Sequence, residues 1–135
     1  VNLTVLAAAA ATFDLLCTGT SYTSPPGQTK EVEAPYEKLY RIDLTANRYC
    51  EDLCYEIRPI YSVQPASLEL EHKEMDALPA GIKITNTINR ITGGHEILKT
   101  RSISTRYGPM DEMDMWLGKC ARQPFSGFPK ISTQF

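Results

Sequence analysis

The chain has no run of about 20 apolar residues, the length that a bilayer-spanning helix requires, so no transmembrane segment is expected. It has no excess of positive charge either: 14 Lys and Arg against 16 Asp and Glu leave a formal charge of -2. The bases are scattered rather than gathered into the stripe that phosphate neutralisation needs, which argues against nucleic acid as a partner. Histidine is scarce, with His72 and His95 alone. A zinc site drawn from Cys50, Cys54, His72 or His95 needs four converging ligands, and no second Cys/His pair has ligand spacing. No serine sits in a Gly-x-Ser-x-Gly elbow, and no acidic run carries EF-hand spacing with its central glycine. Carboxylates are plentiful, but nothing singles out a catalytic pair. No catalytic, cofactor-binding or metal-ligating residue is therefore assigned, no cofactor is expected, and the reading leans away from an enzyme.

The 135 residues are one domain's worth of chain. With 42% hydrophobic and 22% charged residues the composition is that of a globular protein able to bury a core. Residues 1–11, with Leu3, Val5, Leu6 and then Ala7 to Ala11, read as the end of a secretory signal running into an Ala-x-Ala exit. A disulfide-braced β domain is expected over residues 12–135. Leu15-Leu16-Cys17 is a poor lipid-attachment site, because Leu16 is large where such sites carry a small residue and Asp14 interrupts the apolar stretch.

From Thr12 onward the pattern is strand and turn. Phe13, Leu15 and Cys17 alternate with Asp14 and Thr18; Tyr36, Tyr40, Ile42 and Leu44 share a face; Leu68 and Leu70 alternate with Glu69 and Glu71. Residues 23–34, rich in Pro and charge, read as a long surface loop, and residues 73–81 as a second loop with one helical turn. Pro59 suggests an edge strand or a bulge. Ile82, Ile84 and Ile88 continue the period of two, with Asn86 interrupting. Gly93-Gly94, between strand formers, predicts a hairpin whose turn needs positive φ. Residues 109–119 predict one short C-terminal helix, with Asp111, Glu112 and Asp114 near its start, Gly118 near its end, and Met110, Met113 and Trp116 as its apolar stripe. About seven short strands then argue for a single-domain, mainly β fold, an antiparallel sandwich or a small barrel.

Cys17, Cys50, Cys54 and Cys120 allow three pairings. Cys50–Cys54 is close enough for a turn to bring its Cα atoms into bonding range. Cys17–Cys120 would then tie the first strand to the C-terminal segment. In the chain-entropy model the long loop is worth about 5 kcal/mol and the short one about 2 kcal/mol. Redox catalysis is disfavoured: three residues intervene in Cys-Glu-Asp-Leu-Cys, and neighbouring carboxylates raise a thiol pKa. Disulfides of this kind persist in oxidising compartments, which points to a periplasmic or secreted protein.

Other residues have a plain reading beside a functional one. Met110, Met113 and Met115 carry thioethers that suit Cu(I), so residues 110–115 are an alternative copper-handling segment; the plain reading is adaptable core filling. Tyr36, Tyr40, Tyr49, Tyr55 and Tyr61 could form a binding surface or serve as ordinary strand formers. The exposed hairpin, with Arg90 and Thr92, could offer a binding edge. His72 lies on the Leu68 and Leu70 face, and His95 is expected in solvent at the turn. A cavity lined by Tyr40, Ile42 and Ile84 would favour a small ligand, whereas a filled core with an exposed aromatic patch would favour a protein partner.

The ordered set Phe13-x-Leu-x-Cys17-x-Gly19, Tyr40-Arg-Ile-Asp-Leu44, Arg48-Tyr-Cys50, Cys54, Ile88-Asn-Arg-Ile-Thr-Gly93, Gly118-Lys-Cys120 and Phe125-Ser-Gly-Phe-Pro129 resembles small uncharacterised exported proteins of alphaproteobacteria. That resemblance implies an exported β-rich domain and brings no activity, substrate or catalytic residue with it. The expected function is non-enzymatic binding of another protein or of a small apolar ligand in a barrel mouth. Copper handling, or an enzyme whose site is assembled from dispersed residues, stands as the alternative.

Overall fold

A computed structural model describes residues 11–24, 30–77 and 80–130. The residues expected to form a signal segment lie outside this set except Ala11, whose carbonyl accepts a hydrogen bond from the Leu44 N–H at 2.7 Å.

Among the described residues nine strands follow one another: β1 (Thr12–Thr23), β2 (Val32–Asp43), β3 (Arg48–Glu51), β4 (Arg58–Pro59), β5 (Ser62–Val63), β6 (Ser67–Ala77), β7 (Ala80–Asn89), β8 (Gly94–Thr105) and β9 (Gly108–Gln123). They form one antiparallel sheet in the order β4-β3-β2-β1-β9-β8-β7-β6-β5, curled into a half-barrel. It is a barrel-like single sheet rather than two sheets packed as a sandwich. The first strand pairs with the last, with Cys17 opposite Cys120 and Gly19 opposite Gly118. The two edges of the sheet are reached by one stretch of chain. The Ile60 N–H bonds to the Asn47 carbonyl at 3.2 Å, and the next N–H, of Tyr61, bonds to the Leu70 carbonyl at 3.3 Å. Pro59 immediately before this switch has no N–H to donate, which suits it to an edge.

Strand alternation sends every second side chain inward. Phe13, Leu15, Cys17, Tyr40, Ile42, Tyr49, Ile60, Leu68, Leu70 and Ile88 form the buried cluster. Truncating a fully buried member such as Ile42 to alanine costs roughly 2–5 kcal/mol. On the outer side the C-terminal segment lies along β1 and β2. The Ser126 N–H bonds to the Asp14 carboxylate at 3.2 Å, the Arg41 guanidinium bonds to the Gly127 carbonyl at 2.9 Å, and Phe125 and Phe128 meet edge to face.

Three local expectations are corrected. Among the described residues there is no helix: the stretch expected to form one lies within β9, hydrogen-bonded on one side to β1 and on the other to β8. The acidic residues that looked like helix-start charges serve strand neighbours instead. Asp114 accepts the Ser24 N–H at 2.9 Å, and Asp111 accepts the Ser102 hydroxyl at 2.8 Å. A central strand gains two ladders of main-chain bonds, which outweighs the weak helix preference of an eleven-residue window. The expected second loop is also largely strand, since β6 continues to Ala77 and β7 begins at Ala80. The first loop is shorter than expected, because β2 begins at Val32.

Candidate functional site

The register of the sheet builds the site. Tyr36 on β2 faces Gly19 on β1, Gly19 faces Gly118 on β9, Gly118 faces His95 on β8, and His95 faces Ile88 on β7. These five residues form one row across the inner surface. The two glycines leave the middle of the row bare, and the Tyr36 side chain lies across the gap to bring its hydroxyl 2.8 Å from His95 Nδ1. A Cβ on Gly118 would fall 2.5 Å from that hydroxyl and would also run into the Thr18 carbonyl.

His95 is 2% exposed, so its expected place in solvent is corrected. Its Nε2 lies 2.9 Å from Asn86 Oδ1 and 3.2 Å from the Tyr40 hydroxyl, while Asn86 Nδ2 donates to that hydroxyl at 2.9 Å. An amide oxygen can only accept, so Nε2 carries the proton and Nδ1 accepts from Tyr36. Burial first, and the Lys38 charge second, pull the imidazole pKa down to about 4, so the ring is neutral at physiological pH. Burial pushes the Tyr36 phenol up to about 12 and raises that of Tyr40 as well. The Asn86 that interrupts the apolar pattern of β7 is thus a partner of His95. The register row is the signal that would have found it.

Beside this network lies the Cys17–Cys120 disulfide. Both sulfurs and an imidazole nitrogen of His95 lie within 4.8 Å of one another. The hairpin turn fixes this corner. Gly93 has φ of 78°, and its carbonyl accepts the Cys120 N–H at 2.8 Å. Cys50 is bonded to Cys54, so the four-ligand zinc set weighed from Cys50, Cys54, His72 and His95 does not assemble. His72 belongs elsewhere: a register shift between Glu69 and Glu71 precedes it, its ring stacks on Tyr61 at 4.8 Å, and Nδ1 meets Glu69 at 2.7 Å.

The open end of the half-barrel holds a cavity of about 240 Å³. Phe13, Leu15, Leu68 and Ile88 line it with core side chains, Cys120 contributes to its wall, and Asn89, Arg90, Gly93 and Arg122 complete it. The Arg122 guanidinium lies 4.7 Å above the Phe13 ring, and Arg90 donates to the Gln64 carbonyl at 2.9 Å. Tyr40 and Ile42 are both 0% exposed, so these two of the three residues whose cavity would have favoured a small ligand are packed in the core. A larger depression of about 400 Å³ is lined by charged and polar groups, among them Glu56, Arg58, Glu71, His72 and Lys73. Arg58 within it is already paired, 2.7 Å from Glu51 and 3.5 Å from Glu71.

Tyr49 belongs to the core, where burial raises its phenol to about 12, whereas Tyr55 and Tyr61 are exposed. Strand geometry separates the methionines: Met113 and Met115 occupy one face of β9, and Met110 and Trp116 the other. No family model matches the chain, and no curated protein or solved structure matches it significantly. The two disulfides are compatible with an oxidising, non-cytoplasmic setting.

Proposed function

We propose that the protein is a non-enzymatic, periplasmic or secreted binding domain that takes a small, largely apolar ligand with an acidic end in the mouth of the half-barrel. The observation carrying this reading is the cavity of about 240 Å³, in which Phe13, Leu15, Leu68 and Ile88 form an apolar part beside polar groups. Ligand sites are concave and mostly apolar with a few placed polar groups, and drug-sized ligands fill about 300–1,000 Å³. The smaller volume here fits a short-chain molecule. Arg90, whose guanidinium donates to the neutral Gln64 carbonyl, brings positive charge to the lining, so an anionic head is preferred over a cationic one.

Calorimetric titration with octanoate and octylamine tests this reading. Octanoate binds and octylamine does not; Ile88→Phe, which fills the cavity, weakens octanoate at least tenfold; Arg90→Gln narrows the preference for the acid. Failure of both amphiphiles to bind, or binding that ignores Ile88→Phe, would turn the reading toward a protein partner.

A further inference from the structure

We propose that Cys17, Cys120 and His95 form a redox-gated metal site: once the disulfide is reduced, two thiolates and one imidazole hold a zinc ion in the wall of the half-barrel. The three ligand atoms already lie within 4.8 Å of one another. Tetrahedral zinc, with Zn–S of about 2.3 Å and Zn–N of about 2.0–2.1 Å, sets its ligand atoms about 3.5–3.8 Å apart. Relaxation of about an ångström or two therefore converts the bridged cluster into a chelating one. The backbone is prepared for it, since Cys17 and Cys120 are opposite each other in register and His95 faces Gly118, two residues along β9 from Cys120.

A second observation points the same way. Histidines that bind metal through one nitrogen almost always donate the other N–H to an oxygen acceptor. His95 has that arrangement, with Nε2 held by Asn86 Oδ1 at 2.9 Å and Nδ1 left as the acceptor. The Tyr36 hydroxyl, 2.8 Å from Nδ1, is placed to turn aside or to supply a fourth, oxygen ligand. Cys120 lines the cavity at the mouth, so the ion has a route in. Thiolate and imidazole donors together suit zinc.

The chemistry balances with a dithiol reductant. The reductant's two thiols become a disulfide, the Cys17–Cys120 bond takes up two electrons and two protons, and zinc binding then releases one proton from each thiol. The oxidised form has no thiolate to offer and binds no metal.

The test uses the full chain carrying Cys50→Ser and Cys54→Ser, so that one dithiol remains. Cobalt is titrated anaerobically after reduction and displaced with zinc against a chromophoric chelator. The reduced protein takes one equivalent, with a sulfur-to-cobalt charge-transfer band and tetrahedral visible bands, and the oxidised protein takes none. His95→Gln weakens the affinity by on the order of 100-fold and Asn86→Ala by about 10-fold. Uptake by the oxidised form, uptake indifferent to His95→Gln, or no stoichiometric uptake after reduction would overturn the site. Should reduction unfold the chain, zinc must restore the β-sheet circular dichroism of the oxidised protein, and failure to do so would also overturn it.

Discussion

Cys50 and Cys54 are four residues apart, whereas Cys17 and Cys120 are separated by 103 residues and join the first strand to the last. The short bridge closes a turn that the backbone already closes. The Cys54 N–H bonds to the Glu51 carbonyl at 2.9 Å, and Asp52 and Cys54 both adopt positive φ. The long bridge stands where β1 and β9 meet, beside His95 and in the lining of the cavity. One disulfide holds a turn; the other is both a staple across the sheet and part of the wall around the candidate site. The difference shows that sequence separation measures what a bridge does for stability, while register determines what it stands next to.

The largest expected effect comes from the long bridge. Replacing Cys17 and Cys120 together with alanine lowers stability by about 5 kcal/mol in the chain-entropy model. Against a typical net stability of about 5–15 kcal/mol that threatens folding. Urea unfolding measures the loss, and equal losses for the two disulfides would break the comparison.

The wall beside the long bridge carries the next effect. In the unfolded chain His95 titrates near its ordinary 6.5, and in the fold near about 4. Between those values the unfolded state binds more protons, so stability is fully present above about pH 6.5 and is lost as pH falls toward 4. The full shift corresponds to about 3 kcal/mol. Unfolding midpoints of the wild type and His95→Gln, compared from pH 7 to pH 4, check it: the wild type loses this increment and the variant does not.

Smaller effects sharpen the contrast. Removing Cys50 and Cys54 costs about 2 kcal/mol, and the urea midpoint of that variant should sit well above that of the long-bridge variant. Tyr36→Phe leaves Nδ1 of His95 without its donor, at about 1–2 kcal/mol. Proton exchange at the His95 ring, followed by NMR, should quicken in that variant while the β-sheet spectrum is unchanged.

Much of the half-barrel is legible in local pattern. Phe13, Leu15 and Cys17 show the period of two that β1 adopts, and Gly93 marks its hairpin because a positive φ admits few other residues. β9 is less legible, because Asp111, Glu112 and Asp114 imitate helix-start charges while Met113, Met115 and Leu117 keep strand alternation. Pairing on both sides decides between these patterns, and pairing is not a local property. His95 is the clearest case. In the chain it follows a glycine turn and looks solvated, but across the strands it faces two glycines with Tyr36 beyond them. No short window contains that row. The cavity was hidden for a related reason: Phe13 and Leu15 of β1, Leu68 of β6 and Ile88 of β7 come from three strands that meet only when the sheet curls.

The central claim is that the mouth of the half-barrel receives an apolar acid. Methyl-resolved NMR during titration with octanoate tests it most directly. The account predicts shifts concentrated on Leu15, Leu68 and Ile88, with Ile84 and Ile103 little changed. Unmoved methyls at the mouth, or shifts gathered instead around Tyr61 and His72, would contradict it.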